Sequence, residues 1–303
     1  MDELYKIPIG FFTFNRLDTA SEVFEEIRKV KPEKLYLISD GARDNRPKEK
    51  EKVDQIRNFI ERKINWPCSV AKNYAPRNMG CKDRMASGIT WLLDNEEMAV
   101  ILEDDCKPTQ EFFRYAEEML NRYKDDERVM LVSGSKLMTD YTMNSSYTFS
   151  RYAMIWGWAT WRRAWSKYDI DIKSWRRAKQ MGSLKKYYTW LGYIKAAKDF
   201  DSVYNHQKDT WDYQWAYAVL ENDGLDIIPS VNMIENLGFG REDATHTTDS
   251  TSQTFVCGTL GFPLKHPDKV EWDEKYDKDF QRYEWGILAV LKKAIRRLKK
   301  IKK

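Results

Sequence analysis

The chain has 303 residues, 42% hydrophobic and 32% charged, with a formal net charge of +4 at neutral pH. That length and apolar share exclude a disordered chain and allow one large globular domain, or two small ones, with a sizeable core. Val290 to Lys303 holds eight Lys/Arg and no acid, so the remainder carries −4, a balance that argues against a general nucleic-acid surface.

The opening MDELYK runs straight into IPIGFFTF, too short an apolar run for a membrane span, so neither a leader nor a transmembrane segment is expected. Cys68, Cys81, Cys106 and Cys257 form no C-x-x-C pair, the pattern of reduced thiols in a cytoplasmic protein. Ile7 to Phe14 reads as a buried strand ending at Asn15-Arg16. Asp18 or Thr19 then caps a helix with Ala20, Val23, Phe24 and Ile27 inward. Leu35 to Ser39 is a second strand, closed by Asp40-Gly41, and Val53, Ile56, Phe59 and Ile60 mark a surface helix. Cys68 to Tyr74 is a third strand, followed by RNMGCKDRMASGITWLL, a Gly-containing turn opening a helix. Arg77 and Lys82 there offer charge-assisted bonds to phosphate, and the helix start favours anions. Both common Gly-rich phosphate-loop patterns are absent.

Ala99 to Leu102 is an apolar run with the pattern of a strand buried on both faces, and Glu103, Asp104 and Asp105 follow at once. Strands alternating with helices predict a parallel sheet, so these carboxylates, with Asp40, fall at its carboxyl edge, where open α/β sheets bind ligands. Adjacent carboxylates need a cation or protons, and a hard divalent ion bridged to phosphate suits them. A solvated acidic turn and a turn-forming Asp-Gly are the plainer alternatives.

Glu111 to Tyr123 is amphipathic, with Phe112, Tyr115, Ala116 and Met119 inward, and Val129 to Gly134 is a further strand. From Tyr141 polar residues predominate, and the chain then reaches YAMIWGWATWRRAW, whose four Trp do not fit one helix face. Some belong to the core, and Trp156 and Trp158, flanking Gly157 in an expected loop, are the candidates for a sugar-stacking platform. Ser174 to Tyr204 is helical, basic and aromatic, either a solvated excursion or an acceptor- or membrane-facing surface. Asp212, between Trp211 and Tyr213, opens an aromatic helix, where a carboxylate suits either the helix dipole or a general base. Leu225 to Pro229 is a late strand, and VNMIENLGFGREDATHT a Gly-containing loop with Asn236, Arg241 and His246. From Trp285 onward Ile287, Leu288, Leu291, Ile295, Leu298 and Ile301 alternate with the basic residues, the pattern of an amphipathic helix lying on an anionic membrane, with a solvated helix with a frayed Lys-rich end as the plainer alternative.

In this order, FFTFNR, LISDGA, RNMGCKDRMASGI, VILEDD, WGWATWRRAW, WDYQW and NLGFGREDATH, the chain up to about Thr247 resembles nucleotide-diphospho-sugar transferases of the GT-A type. Its first half resembles bacterial family-2-like glycosyltransferases, and the motif order is similar to N-acetylglucosaminyltransferase I. The resemblance implies a GT-A (Rossmann-like) α/β fold with a mostly parallel sheet, a nucleotide-sugar half at 1–135, an acceptor half at 136–270 and a basic tail at 271–303. It implies an inverting hexosyltransferase that takes a UDP-sugar, UDP-GlcNAc or another UDP-hexose, to a glycan or lipid-linked oligosaccharide. Phe14, Arg16, Asp40, Arg77, Lys82, Glu103 and Asp104 would then bind the nucleotide sugar. Asp105 with His246 would hold Mn2+ or Mg2+, Asp212 would deprotonate the acceptor, and Trp156, Gly157, Trp158 and Trp211 would line the sugars. The Q-x-x-R-W motif of processive synthases is missing, which implies single addition by an enzyme peripheral to the cytoplasmic face of a membrane. A metal-dependent phosphohydrolase and a non-catalytic carbohydrate-binding protein are the competing classes.

Overall fold

In the computed structural model, residues 4–241 and 255–286 are described. The first half runs β1 (Ile9–Thr13), α1 (Leu17–Val30), β2 (Lys34–Ser39), α2 (Glu49–Lys63), β3 (Ser69–Tyr74), α3 (Cys81–Asn95), β4 (Met98–Glu103), β5 (Cys106–Pro108), α4 (Gln110–Arg122) and β6 (Val129–Ser133). The second adds β7 (Tyr147–Ser150), β8 (Trp158–Trp161), α5 (Arg162–Trp165), α6 (Trp175–Met181), α7 (Trp190–Tyr204), α8 (Asp212–Glu221), β9 (Leu225–Pro229), β10 (Ile234–Asn236) and α9 (Glu274–Trp285).

Eight strands form one sheet in the order β3-β2-β1-β4-β8-β6-β9-β7. Strands β1 to β4 are mutually parallel, and β6 pairs parallel with β9, while β8 and β7 run antiparallel to their neighbours. The chain is thus α/β with a mostly parallel central sheet. Alternation within each strand divides the core between its two faces. Phe11, Val100 and Leu102 pack towards α1 and α4, whereas Phe12, Ala99 and Ile101 pack towards α3 and α8. After β1 the chain moves outward to β2 and β3, then returns to place β4 on β1's other side. That reversal opens a crevice at the carboxyl ends of β1 and β4.

The apolar runs read as strands are strands. The aromatic stretch differs from expectation: Trp158 is not in a loop but opens β8, in the middle of the sheet, and is fully buried against Trp165, Trp211 and Trp215. Trp211 is buried in the same cluster. The region between β8 and α8 builds its own small core around Trp175, Phe200 and Tyr217. Within the expected tail, α9 is part of the domain: Tyr276 and Phe280 pack with Met138, Met154 and Ile228. Among the described residues no helix is long and apolar enough to cross a membrane.

Candidate active site

Arg16 stands in the turn between β1 and α1, and its Nη2 donates to Asp104 Oδ1 at 2.7 Å and to Asp105 Oδ2 at 3.0 Å. The backbone N–H of Phe14 donates to Asp104 Oδ2 at 3.0 Å. Both Asp104 oxygens are therefore engaged and its side chain is buried. Burial pushes the carboxyl up to about 6, against the pull of Arg16 and the Phe14 N–H. Asp104 thus ties β1 to β4 from beneath the rim rather than presenting a free carboxylate to a ribose.

Asp40 is similar. Its Oδ1 accepts from the N–H of Gly41 and of Met79, and its Oδ2 from Asn78 Nδ2 at 2.9 Å. Burial raises its pKa against these bonds. The contacts make Asp40 the anchor of the loop leading to α3, the turn-forming role. Arg77 sits exposed on that loop, its backbone against Gly41.

The remaining carboxylates, Glu103, Asp105, Asp209 and Asp212, all act on the Cys81 thiol at the first turn of α3. Glu103 is half-buried at the end of β4 and its pKa lies well above the usual range, through burial first and then the charges of Asp105, Asp104 and Asp212. The Cys81 thiol, at the first residue of α3, is likewise raised by burial and by Glu103, Asp212, Asp209 and Asp105. Asp212 opens α8 and accepts from the Thr210 hydroxyl. The fold therefore brings Asp212 within electrostatic range of Glu103 at the end of β4, though about a hundred residues separate them in the chain.

Asp209 was not among the expected residues. Its Oδ1 accepts the Lys82 N–H at 3.2 Å, and its side chain lies against Gly80 at the start of α3. Its only signal in the sequence is the run KDTWD, a second aspartate three residues before Asp212. Lys82 itself is mostly covered, its Nζ 4.0 Å from Asp83 Oδ1.

The loop after β10 completes the rim. β10 pairs antiparallel with β5, the Leu237 N–H donates to the Asp105 carbonyl at 2.7 Å, and a Cβ on Gly238 would stand 2.7 Å from Asp105 Oδ2. Arg241 Nη1 donates to Asp18 Oδ2 at 2.6 Å, fastening this loop to α1. Half-buried Trp156 packs edge-on against Phe239 of the loop, with ring centroids 5.3 Å apart. Of the four expected sugar-lining positions, Trp156 alone lies against this loop with part of its surface accessible. Trp158 and Trp211 are sealed in the core, and Gly157 is buried against Ile234 of β10.

His246 lies outside the described residues. Among the described residues no group of three or more His, Cys, Asp or Glu side chains is arranged to hold a metal by itself. The rim nevertheless suits a hard cation completed by phosphate oxygens. Its donors are carboxylates, and Glu103 is raised by burial and then by Asp105, Asp104 and Asp212, against the pull of Arg16.

No family model and no curated protein matches the chain. Solved structures similar to it include a cytidylyltransferase from Leptospira borgpetersenii serovar Hardjo-bovis, at 11% identity and TM-score 0.33, covering 55% of this chain and 63% of that one. This chain thus spans less than two thirds of that protein. UTP-bound UGPase from Acinetobacter baumannii matches at 9% identity and TM-score 0.34, over 75% of this chain and 86% of that one. Mouse xyloside xylosyltransferase 1, apo form, matches at 9% identity and TM-score 0.35, over 71% and 81%.

Proposed function

We propose that the chain is a metal-dependent, inverting glycosyltransferase that moves a hexose from a UDP-sugar to a hydroxyl of a glycan or lipid-linked acceptor. One observation carries this reading: Asp105, after β4, and Asp212, at the start of α8, both act electrostatically on Glu103 and on the Cys81 thiol at the first turn of α3. The base and ribose would lie along the loop that Asp40 holds, and the diphosphate would face the N–H groups opening α3. Asp105 is the proposed ligand for Mn2+ or Mg2+, with Glu103 beside it, and Arg16 fixes the Asp105 carboxylate from one side. A bound divalent ion would offset the charge that builds on the departing diphosphate. Asp212 would take the proton of the acceptor hydroxyl as its oxygen bonds to the anomeric carbon and the bond from that carbon to the UDP oxygen breaks. Attack from the face opposite UDP inverts the configuration.

The first test is thermal unfolding with UDP, GDP, CMP or ADP, each with and without Mn2+. Ligand at a hundredfold its dissociation constant adds about 2.7 kcal/mol to the folded state, well within reach of a melting curve. Stabilisation by UDP that requires Mn2+ is expected, and no shift with any nucleotide would return the balance to a carbohydrate-binding protein or a hydrolase. The second test is Asp212→Asn, expected to lower transfer by at least about a hundredfold while leaving UDP–Mn2+ stabilisation intact. Full transfer by the folded variant would end the base assignment. Pyrophosphate release from UTP and a sugar 1-phosphate would instead make the enzyme a nucleotidyltransferase.

A further inference from the structure

Helix α7 starts with its apolar side chains in solvent. Trp190 is 76% exposed and Ile194 50%, and Leu191 lies beside them. At about 100° per residue, Trp190, Leu191, Ile194 and Lys198 share one face about 100° wide. The opposite face of the helix, with Ala196, Phe200 and Val203, is buried in the local core. Residues 173–198 hold eight Lys/Arg and no acid. Lys185, Lys186, Lys195 and Lys198 are all exposed. The described chain then ends at this same place. Trp285, the last residue of α9, lies against Gly192 of α7 and against Tyr188, with ring centroids 6.2 Å apart in the latter pair. The sequence that follows carries the second acid-free run of eight Lys/Arg, from Val290 to Lys303.

We infer that the exposed face of α7 is a docking surface for an anionic lipid bilayer. A large aromatic and two branched aliphatic residues, with exposed Lys185 and Lys198 near them and Lys186 and Lys195 further engaged by Asp223 and Asp199, match the chemistry of an interface with acidic headgroups above and acyl chains below. Lysine stems cover apolar surface while their ammonium groups reach the headgroups. This inference does not depend on the transferase reading.

The test is cosedimentation of the full chain with vesicles of phosphatidylcholine alone and of phosphatidylcholine containing about three in ten phosphatidylglycerol. The wild type is expected to partition onto the anionic vesicles at least about tenfold more strongly than onto the neutral ones. The double substitution Trp190→Ser with Ile194→Ser keeps every basic residue. It is expected to weaken anionic-vesicle binding at least about tenfold with no change in melting temperature. Equal binding by the variant would assign attachment to the segment after Gly286 alone and overturn the role of α7. No binding by the wild type would overturn the surface altogether. Sedimentation velocity covers the remaining occupant: a wild-type dimer lost in the variant, with vesicle binding unmoved, would make the face a contact between two copies.

Discussion

Arg16 neutralises two carboxylates that would otherwise repel each other at the end of β4, and it also fixes their direction. The Asp104 side chain is only 5% exposed and that of Arg16 20%, so losing the guanidinium strands a buried carboxylate beside a second one. Stranding one member of a buried pair costs 3–5 kcal/mol, and the partial exposure of Arg16 favours the lower end. Arg16→Ala is therefore expected to cost about 3 kcal/mol in urea unfolding. Adding Asp104→Asn should restore part of that loss, because the amide oxygen still accepts from the Phe14 N–H while the stranded charge is gone. Simple additivity of the two substitutions would show that the coupling is absent. The same contacts explain what sequence could and could not reveal about these side chains. Their carboxylate chemistry and their place at the sheet edge follow from apolar runs ending in acids. Whether an oxygen is free depends on partners far away, such as Phe14 for Asp104 and Asn78 for Asp40. For that reason Asp104 and Asp40 read as ligand-facing groups when their main contacts are internal.

At the scale of elements, strands β1, β2 and β4 were legible because each is an apolar run closed by a turn signal, and β3 because it falls between two helices in the alternating pattern. Strand β8 was not. It is a four-residue Trp-Ala-Thr-Trp segment whose partners, β4 and β6, are distant in sequence, and its aromatic content reads equally well as a binding platform. Asp212 was legible as a chemical type, a carboxylate opening an aromatic helix, while its arrival beside Glu103 is a product of the packing of α8 on the sheet. The residue that leads into β8 shows how tightly this region is built. Gly157 has φ +56°, and a Cβ there would stand 2.3 Å from Ile234 Cδ1. Gly157→Ala brings both left-handed strain and overpacking, together about 1–3 kcal/mol. Ile234 belongs to β10, whose partner β5 starts at the residue after Asp105, so the displacement is directed at the rim. The expected result is a lower urea midpoint together with weaker UDP–Mn2+ stabilisation. Combining it with Ile234→Val, which makes room, should recover part of the binding. Wild-type binding in Gly157→Ala would mean that β10 does not transmit its position to Asp105.

For the whole molecule, α9 is the brace that closes the β7 end of the sheet, and it does so with a buried acid. Asp277 accepts from the Ser150 hydroxyl, from the Arg151 N–H at 2.8 Å and from Trp272 Nε1 at 2.6 Å. Burial pushes its carboxyl up to about 7 in spite of those donors, with the nearby Asp273 adding to the rise. Asp226, fully buried on β9, is raised in the same direction by burial, against bonds from Ser133 and Met154. The sign follows from proton counting. Below about pH 4 the unfolded chain is protonated at this position as the native one is, so Asp277 contributes no slope. Between about 4 and 7 the unfolded chain has lost its proton and the native state still holds one, so each rise in pH costs stability. Above about 7 both states are ionised and the cost stays constant. Glu49, lowered to about 2 mainly through Arg43 in spite of burial, acts with the opposite sign, but its window closes near pH 4.5. Asp277→Asn keeps an acceptor for the backbone and indole donors and removes the titration. The melting temperature of the variant relative to wild type should therefore climb from pH 4.5 to 7 and level off beyond. Parallel curves across that range would show that Asp277 is already ionised in the folded protein and that its three donors outweigh its burial.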